Sequence, residues 1–354
     1  MSDDSSRPEI RIDQLTGLRT LLAPARSDRP GNLKPPRSEP KGSAGDCPFC
    51  EGREDRTPPE LDAIRPQGGD ADGPGWLART VPNLYPALSQ DGEAGALPAE
   101  TGLSSPADPL RAATRGAEPD LFASLPARGL HEVVIHGPAH NVSLTELGDR
   151  ELEAVVEAWR ARSGAHPEAA YVHLIVNEGP AAGASLEHSH AQLYALPFVP
   201  TVVARERERF SAYAERTQGG RLLQDIAAEE VRRRERLVAI DEEALLVCPW
   251  ASRGPFELRL IPRQPAASFA EDASGTAMLR TALRTLAERF GEPPPLNLWV
   301  RTAPRGVEAF HWHIDILPRL TVRAGFEIGT GVEISTYAPE KAAAELRECL
   351  GGDA

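Results

Sequence analysis

The sequence predicts an α+β fold in two similar halves, each an antiparallel sheet with helices packed on one side. Three observations predict it. Short β-branched runs alternate with helical patterns. The order strand, helix, strand, loop, strand occurs twice. Each copy ends in His-x-His, as HSHAQ at 188–192 and as HWHID at 311–315. Four elements repeated in one order mark an internal duplication. The 354 residues suffice for one large domain or two medium ones. We place the first half at residues 1–200, a connecting helical segment at 201–237 and the second half at 238–354.

Residues 24–46 are rich in Pro, Gly, Ser and basic side chains, which predicts extended loop. HEVVIHG (131–137) alternates and is β-branched, a strand pattern. Asp149 can cap a helix whose Leu152, Val155, Val156 and Trp159 fall on one face, with Gly164 as its stop. YVHLIV (171–176) reads as a buried strand and HSHAQLYAL (188–196) as a third. The second copy runs through FELRLI (256–261), a helix marked by Leu279, Leu283, Leu286 and Phe290 and ended by Gly291, LNLWVR (296–301) and FHWHIDIL (310–317). Between the copies, VVARERERF and EEVRRRERL predict exposed helix, a solvated face. Residues 87–128 have many small residues and little periodicity, and read as a long surface insertion, a solvated spacer with a mobile lid as the alternative.

Composition narrows the function. A net charge of −13 argues against nucleic acid as the main partner, since phosphate backbones require a clustered basic face. No run approaches the about 18 apolar residues of a membrane span. The first residues, MSDDSSRPE, are acidic and polar, unlike a signal peptide. Four cysteines without a secretory signal are not a disulfide framework, so the expected compartment is the cytoplasm.

The chemistry concentrates in NEGPAAGASLEHSHAQLYALP (177–197). On a strand, His188, His190 and Gln192 share one face. Gly179 and Gly183 allow backbone N–H groups of the 179–185 loop to converge as an anion nest. A neutral imidazole beside a bound phosphate is a competent nucleophile. Gln192 can hold a phosphoryl oxygen without competing for protons. The alternative is a set of core polar residues tied to backbone carbonyls. Cys47-Pro-Phe-Cys50 fits the paired-thiolate half of a zinc site, with two free buried cysteines as the alternative.

These segments together resemble the galactose-1-phosphate uridylyltransferase family, a branch of the histidine triad superfamily. The resemblance rests on HSHAQ after NEGPAAGAS, on CPFCEGRE (47–54), VPNLYPAL (81–88) and HGPAHNVSLTEL (136–147), and on the HWH copy and GFEIGTG (325–331). CPFCEGRE, AGASLEHSHAQ and FEIGTG are nearer to the family's ADP-glucose phosphorylase-like branch, which moves AMP rather than UMP. The resemblance implies two histidine-triad-like halves. It implies His190 as the nucleophile that takes a nucleoside monophosphate from a nucleotide sugar, with Gln192 on the transferred phosphate. Asn83, Asn177, Gly183 and Ser185 match nucleotide and phosphate contacts. Arg26 and Arg29 match a basic pair near the sugar phosphate. Phe326 and Glu327 match a segment that reaches the sugar in the other subunit, so a homodimer is implied. His140 and His188 complete a structural Zn²⁺ site with Cys47 and Cys50.

The implied activity is nucleotidylyl transfer, with UDP-glucose–hexose-1-phosphate uridylyltransferase first and ADP-glucose phosphorylase, with phosphate as acceptor, as the alternative. A nucleotide hydrolase is disfavoured by Gln192, where hydrolase branches carry a third His. A non-catalytic nucleotide-binding scaffold is the remaining class. Glu206, His311 and His313 match three positions of a second metal site in the family. The fourth matches Arg301, and a further CxxC of plant-type relatives is replaced by Arg221-Leu-Leu-Gln224. No second metal is therefore expected, and His311 and His313 read as satisfied core histidines. Cys248 and Cys349 read as structural.

Overall fold

The computed structural model describes residues 7–28, 45–89 and 126–351. A ten-stranded sheet runs through them. Its strands are β3 (Asp62–Ile64), β4 (Ala78–Pro82), β5 (Leu130–His136), β6 (Tyr171–Glu178), β7 (His190–Leu196), β8 (Leu237–Ile240), β9 (Ala244–Val247), β10 (Leu258–Pro262), β11 (Leu296–Arg301) and β12 (His313–Pro318). The order is β3-β4-β5-β7-β6-β11-β12-β10-β9-β8, and every neighbouring pair is antiparallel. Read inward from either edge, the pattern is the same. Its centre is the β6–β11 pair, where Asn177 lies opposite Asn297. Helix α1 (Asp149–Gly164) links β5 to β6, and α4 (Thr276–Phe290) links β10 to β11.

The period of two divides the sheet into two faces. Leu174, Val176, Ala191, Leu193, Leu298, Val300, Ile314 and Ile316 pack against α1, α4 and α6 (Pro339–Cys349) in the main core. On the opposite face, Leu237, Leu245, Val247 and Ile261 meet Phe210 of α2 (Thr201–Arg216) and Leu222, Leu223 and Ala227 of α3 (Leu222–Arg233). Helices therefore lie on both faces, and the expected one-sided packing holds only for α1, α4 and α6. The cause is the 201–233 segment. Its dense charge conceals an apolar stripe that buries Val203, Ala204 and Phe210, so it is an amphipathic cover rather than a solvated face.

A second sheet joins β1 (Glu9–Ile12), β2 (Arg19–Leu22) and β13 (Glu333–Ser335). Strand β13 runs parallel to β2, so segments from the two ends of the chain share a sheet. A short helix, α5 (Gly325–Thr330), precedes β13.

The expected strands at 131–137, 171–176, 256–261, 296–301 and 310–317 are present, with shifted ends. Strand β7 starts at His190 and β12 at His313, so the first histidine of each motif stands just before its strand. Gly148, not Asp149, is the N-cap of α1, and its N–H donates to Glu151 at 2.8 Å. Gly164 closes the last turn instead of following it. Gly291 caps α4 in the left-handed region, as expected. Pro24–Asp28 is a 3₁₀ turn rather than extended chain. Most of the 24–46 loop and of the 87–128 insertion lies outside the described residues. Among the described residues, no helix is long and apolar enough to cross a membrane.

Trp312, between the two histidines of the second copy, is fully buried. Its indole N–H donates to Asp272 at 2.7 Å, and its ring meets Phe269 edge-on at 5.2 Å. Trp312→Ala is expected to lower the stability of the fold by about 3–5 kcal/mol, read as a shifted midpoint in urea unfolding.

Candidate active site

The segment Cys47–Cys50 lies against the start of β7. Arg53 donates to the Cys47 carbonyl at 3.0 Å, and the Glu51 N–H donates to the Pro138 carbonyl at 2.9 Å. These bonds hold the CPFC turn beside the Pro138–His140 loop. Cys47 Sγ lies 3.5 Å from His188 Nδ1, and Cys50 Sγ lies 3.6 Å from His140 Nδ1 and 3.7 Å from His188 Nδ1. All four donor atoms fall within 4.8 Å of one another. The sequence-predicted ligand set is thus brought together as a group that can hold a metal ion. The His188 Nε2–H donates to the carbonyls of His136 (3.2 Å) and Gly137 (3.1 Å), which turns Nδ1 inward as a lone-pair donor. Burial, and then the neighbouring Cys47 thiol, push the Cys50 thiol up to about 11. A cation between the sulfurs would reverse that preference and favour thiolates.

His190 is fixed by one bond. Its Nδ1–H donates to the His188 carbonyl at 2.8 Å. In the neutral ring this leaves the lone pair on Nε2. Burial holds the ring below the ordinary histidine range, so it is neutral at pH 7. Phe49 of the CPFC turn packs edge-on against it at 5.3 Å.

Behind the strand, Ser189 points to the opposite face and enters a fully buried relay. The Trp159 indole donates to His136 Nε2 at 3.1 Å, so the remaining ring proton sits on Nδ1. That proton is donated to Ser189 Oγ at 2.9 Å, and Ser189 donates to Glu178 at 2.8 Å. Glu178 also accepts from the Leu144 N–H (2.6 Å) and the Ser143 hydroxyl (2.8 Å). Burial raises the Glu178 carboxyl against these three donors.

Gln192 and Asn83 meet through a residue that sequence reasoning read only as part of a strand, His131. Its Nε2 lies 3.0 Å from Gln192 Oε1 and 3.0 Å from the Asn83 amide nitrogen. Tyr194 donates to the same Gln192 oxygen at 2.8 Å. The signal was present as strand alternation, because His131 lies opposite Tyr194 in the β5–β7 register.

Asn177 Oδ1 accepts from Asn297 at 2.7 Å, and Asn297 also donates to the Ala182 carbonyl at 2.8 Å. Asn177, Asn297, Arg26 and Glu327 line a cleft of about 750 Å³ over β6, β11 and the three-stranded sheet. His190 is not among its lining residues, but Asn177 stands on the adjacent strand next to it. Phe326 is half-exposed on α5. Ser185 and Gly183 are exposed in the glycine loop. The expected anion nest is largely closed by its own turn. The N–H groups of Ala182, Gly183 and Ala184 donate to the carbonyls of Gly179, Pro180 and Gly179. Arg29 lies outside the described residues.

Glu206 and Arg301 face each other at 3.4 Å, both buried. Burial pushes the Glu206 carboxyl up to about 7, with Arg301 opposing. His311 Nε2–H donates to the Pro262 carbonyl at 2.9 Å and His313 Nδ1–H to the His311 carbonyl at 3.2 Å. Their other ring nitrogens are buried without a partner, so these histidines are only half satisfied. Cys248 is buried in the main core, and the Cys349 thiol donates to the Glu345 carbonyl at 3.4 Å.

Comparison with known proteins places this arrangement. Residues 79–200 match the family model of the galactose-1-phosphate uridyl transferase N-terminal domain. An ADP-glucose phosphorylase from Arabidopsis thaliana is 32% identical over 98% of this chain and 94% of its own length. A galactose-1-phosphate uridylyltransferase from Cryptococcus neoformans is 31% identical over 69% of this chain and 71% of its own. The crystal structure of an Arabidopsis thaliana ADP-glucose phosphorylase with bound ADP-glucose superposes with a TM-score of 0.76. It is 28% identical over 97% of this chain and 99% of that one.

The relay behind β7 gives a direct expectation. Ser189→Ala strips the His136 Nδ1–H of its acceptor and Glu178 of one donor. It should cost about 1–3 kcal/mol in equilibrium unfolding.

Proposed function

This chain belongs to the galactose-1-phosphate uridylyltransferase family and is a nucleotidyltransferase, and from that premise we propose that it works through a nucleotidyl–His190 intermediate. The observation that carries the proposal is the His190 Nδ1–H held by the His188 carbonyl, which reserves Nε2 for attack. In the first step Nε2 bonds to the α-phosphorus of a nucleotide sugar. The bond from that phosphorus to the bridging oxygen breaks, and sugar 1-phosphate leaves with the electron pair. It is a stable anion and needs no general acid. The ring becomes cationic while keeping its Nδ1 proton, so the bond to the His188 carbonyl strengthens as charge develops. In the second step a phosphate oxygen of the acceptor attacks the same phosphorus and the P–N bond breaks. Gln192, Asn83, Asn177 and Ser185 would hold the nucleotide and its phosphate, with Gly183 shaping the loop between them. Arg26 and Arg29 would meet the sugar phosphate, and Phe326 and Glu327 would reach the sugar bound in the other subunit of a homodimer.

Two readings of the substrates stand. The family name supports uridylyl transfer between UDP-glucose and a hexose 1-phosphate. The likeness to ADP-glucose phosphorylase, which runs the length of both chains, favours ADP-glucose with inorganic phosphate as acceptor. The donor set of Cys47, Cys50, His140 and His188 fits zinc, because two thiolates and two imidazoles make a closed tetrahedral site. Such a zinc supplies a cross-link and no open position for substrate. We also take the matching strand order of the two half-sheets as an internal duplication of histidine-triad-like halves, 1–200 and 238–354, joined by 201–237. Exposed Val322, Phe326 and Ile328 support a homodimer through the α5 segment.

Purified protein incubated with ADP-glucose or UDP-glucose, with and without phosphate or galactose 1-phosphate, separates the readings. ADP and glucose 1-phosphate formed only with phosphate mark the phosphorylase. UDP-galactose formed from UDP-glucose and galactose 1-phosphate marks the uridylyltransferase. Free nucleoside monophosphate without any acceptor would refute transfer, and His190→Ala should reduce either exchange to background. Elemental analysis should give one zinc per chain, lost in Cys47→Ser together with several degrees of Tm.

A further inference from the structure

The described residues assign an orientation to Gln192 that no motif encodes, and the residue that sets it is His131. The backbone N–H of Ala87 donates to His131 Nδ1 at 3.1 Å. A backbone N–H has no other role, so Nδ1 is an acceptor and the ring proton of neutral His131 sits on Nε2. Burial holds this ring below the ordinary range, in keeping with the neutral form. Nε2–H then points at Gln192 Oε1, 3.0 Å away. The Tyr194 hydroxyl reaches the same oxygen at 2.8 Å, and its ring stacks on His131 with centroids 4.1 Å apart. Two donors on one oxygen leave the Gln192 amide a single orientation, with its N–H₂ directed away from them. The same tautomer bears on Asn83. Its Oδ1 accepts from the Tyr85 N–H at 2.9 Å, and its amide nitrogen meets an N–H, not a lone pair, on His131. That contact is therefore not a hydrogen bond, and the Gln192 oxygen is what accepts from His131.

We infer that His131 is a positioning residue, which with Tyr194 locks Gln192 as a hydrogen-bond donor to the transferred phosphoryl group. This rests on the proposed reading of Gln192 as the phosphate contact. His131 touches no substrate in this account. It acts by forbidding the flipped amide, in which an oxygen would face the anionic phosphorus centre and repel it. The lock acts on transfer more than on ground-state binding, because the phosphoryl oxygens gain their full demand for donors only in the transition state.

The test is a double-mutant cycle on the first half-reaction, release of glucose 1-phosphate from whichever of ADP-glucose and UDP-glucose the protein uses. Gln192→Ala should slow transfer by about 10²–10³-fold. His131→Ala should slow it by about 10–100-fold with KM within about threefold of the starting protein. The double variant should be no slower than Gln192→Ala, since His131 works through Gln192. His131→Gln, which restores an amide donor toward Gln192, should recover most of the loss. Tyr194→Phe, which removes one hydroxyl and no packing, should give a smaller loss of the same kind. It serves as the second variant if His131→Ala does not fold. Gln192→Ala slowed with His131→Ala and Tyr194→Phe at full rate would overturn the lock alone. So would losses that multiply in the double variant. Gln192→Ala at full rate would instead remove the reading of Gln192 as the phosphate contact, and the lock with it.

Discussion

One hydrogen bond organises this protein: the Nδ1–H of His190 on the carbonyl of His188, two residues back along the chain. It makes the direction of the proposed nucleophile a property of the backbone at His188. That backbone is in turn clamped, since His188 donates through Nε2 to the carbonyls of His136 and Gly137 and faces the two cysteine sulfurs through Nδ1. The backbone that follows is held as well, since the Ser189 N–H donates to the Asn141 carbonyl at 2.8 Å and the Ser189 carbonyl accepts from the His136 N–H at 3.2 Å. The Cys47–Cys50 turn completes the clamp by pressing Phe49 against both rings. Groups that touch no reacting atom thereby set the aim of the atom proposed to react.

The HWH motif at 311–313 shows the same bond in different surroundings. His313 makes the same contact to the His311 carbonyl, and His311 donates to the Pro262 carbonyl as His188 does to His136. The residue between the histidines changes the outcome. Ser189 feeds a polar relay to Glu178, and His190, buried on the other face, stands beside the cleft-lining Asn177. Trp312 fills the core instead, and His313 is wholly enclosed. Arg301 stands on Glu206 on the same face. The HWH motif therefore shares the backbone contact of HSH in a different setting, and the cleft over β6 and β11 is lined by Asn177 on one strand and by Asn297 and Arg301 on the other.

Much of this was legible in the sequence, for physical reasons. Strand alternation and the paired His-x-His motifs forecast β5, β6, β7, β10, β11 and β12, because a period of two survives wherever one face is buried. The CxxC spacing forecast the thiol pair, and the family resemblance supplied His140 and His188, which the fold brings within reach of it. What could not be read depends on contacts between distant segments. The helices at 201–233 were legible, but the apolar stripe with which they cover the second face is hidden by the charge of VVARERERF. The glycine loop spends its N–H groups internally, which only its turn geometry reveals. His131 reaches Gln192 only because the β5–β7 register sets it across from Tyr194 and two positions from Gln192 on the same face. A single chain of letters contains the residues of that network but not its tautomer.

The central claim is that the chain fixes which nitrogen of His190 reacts. The most direct measurement is to trap the covalent intermediate with a nucleotide sugar in the absence of acceptor. The phosphorus is then located by peptide mapping and by ³¹P–¹⁵N coupling in protein labelled at histidine. The account predicts one phosphorus per chain, on Nε2 of His190, with Nδ1 still protonated. Phosphorus on Nδ1, or on any residue other than His190, would contradict it.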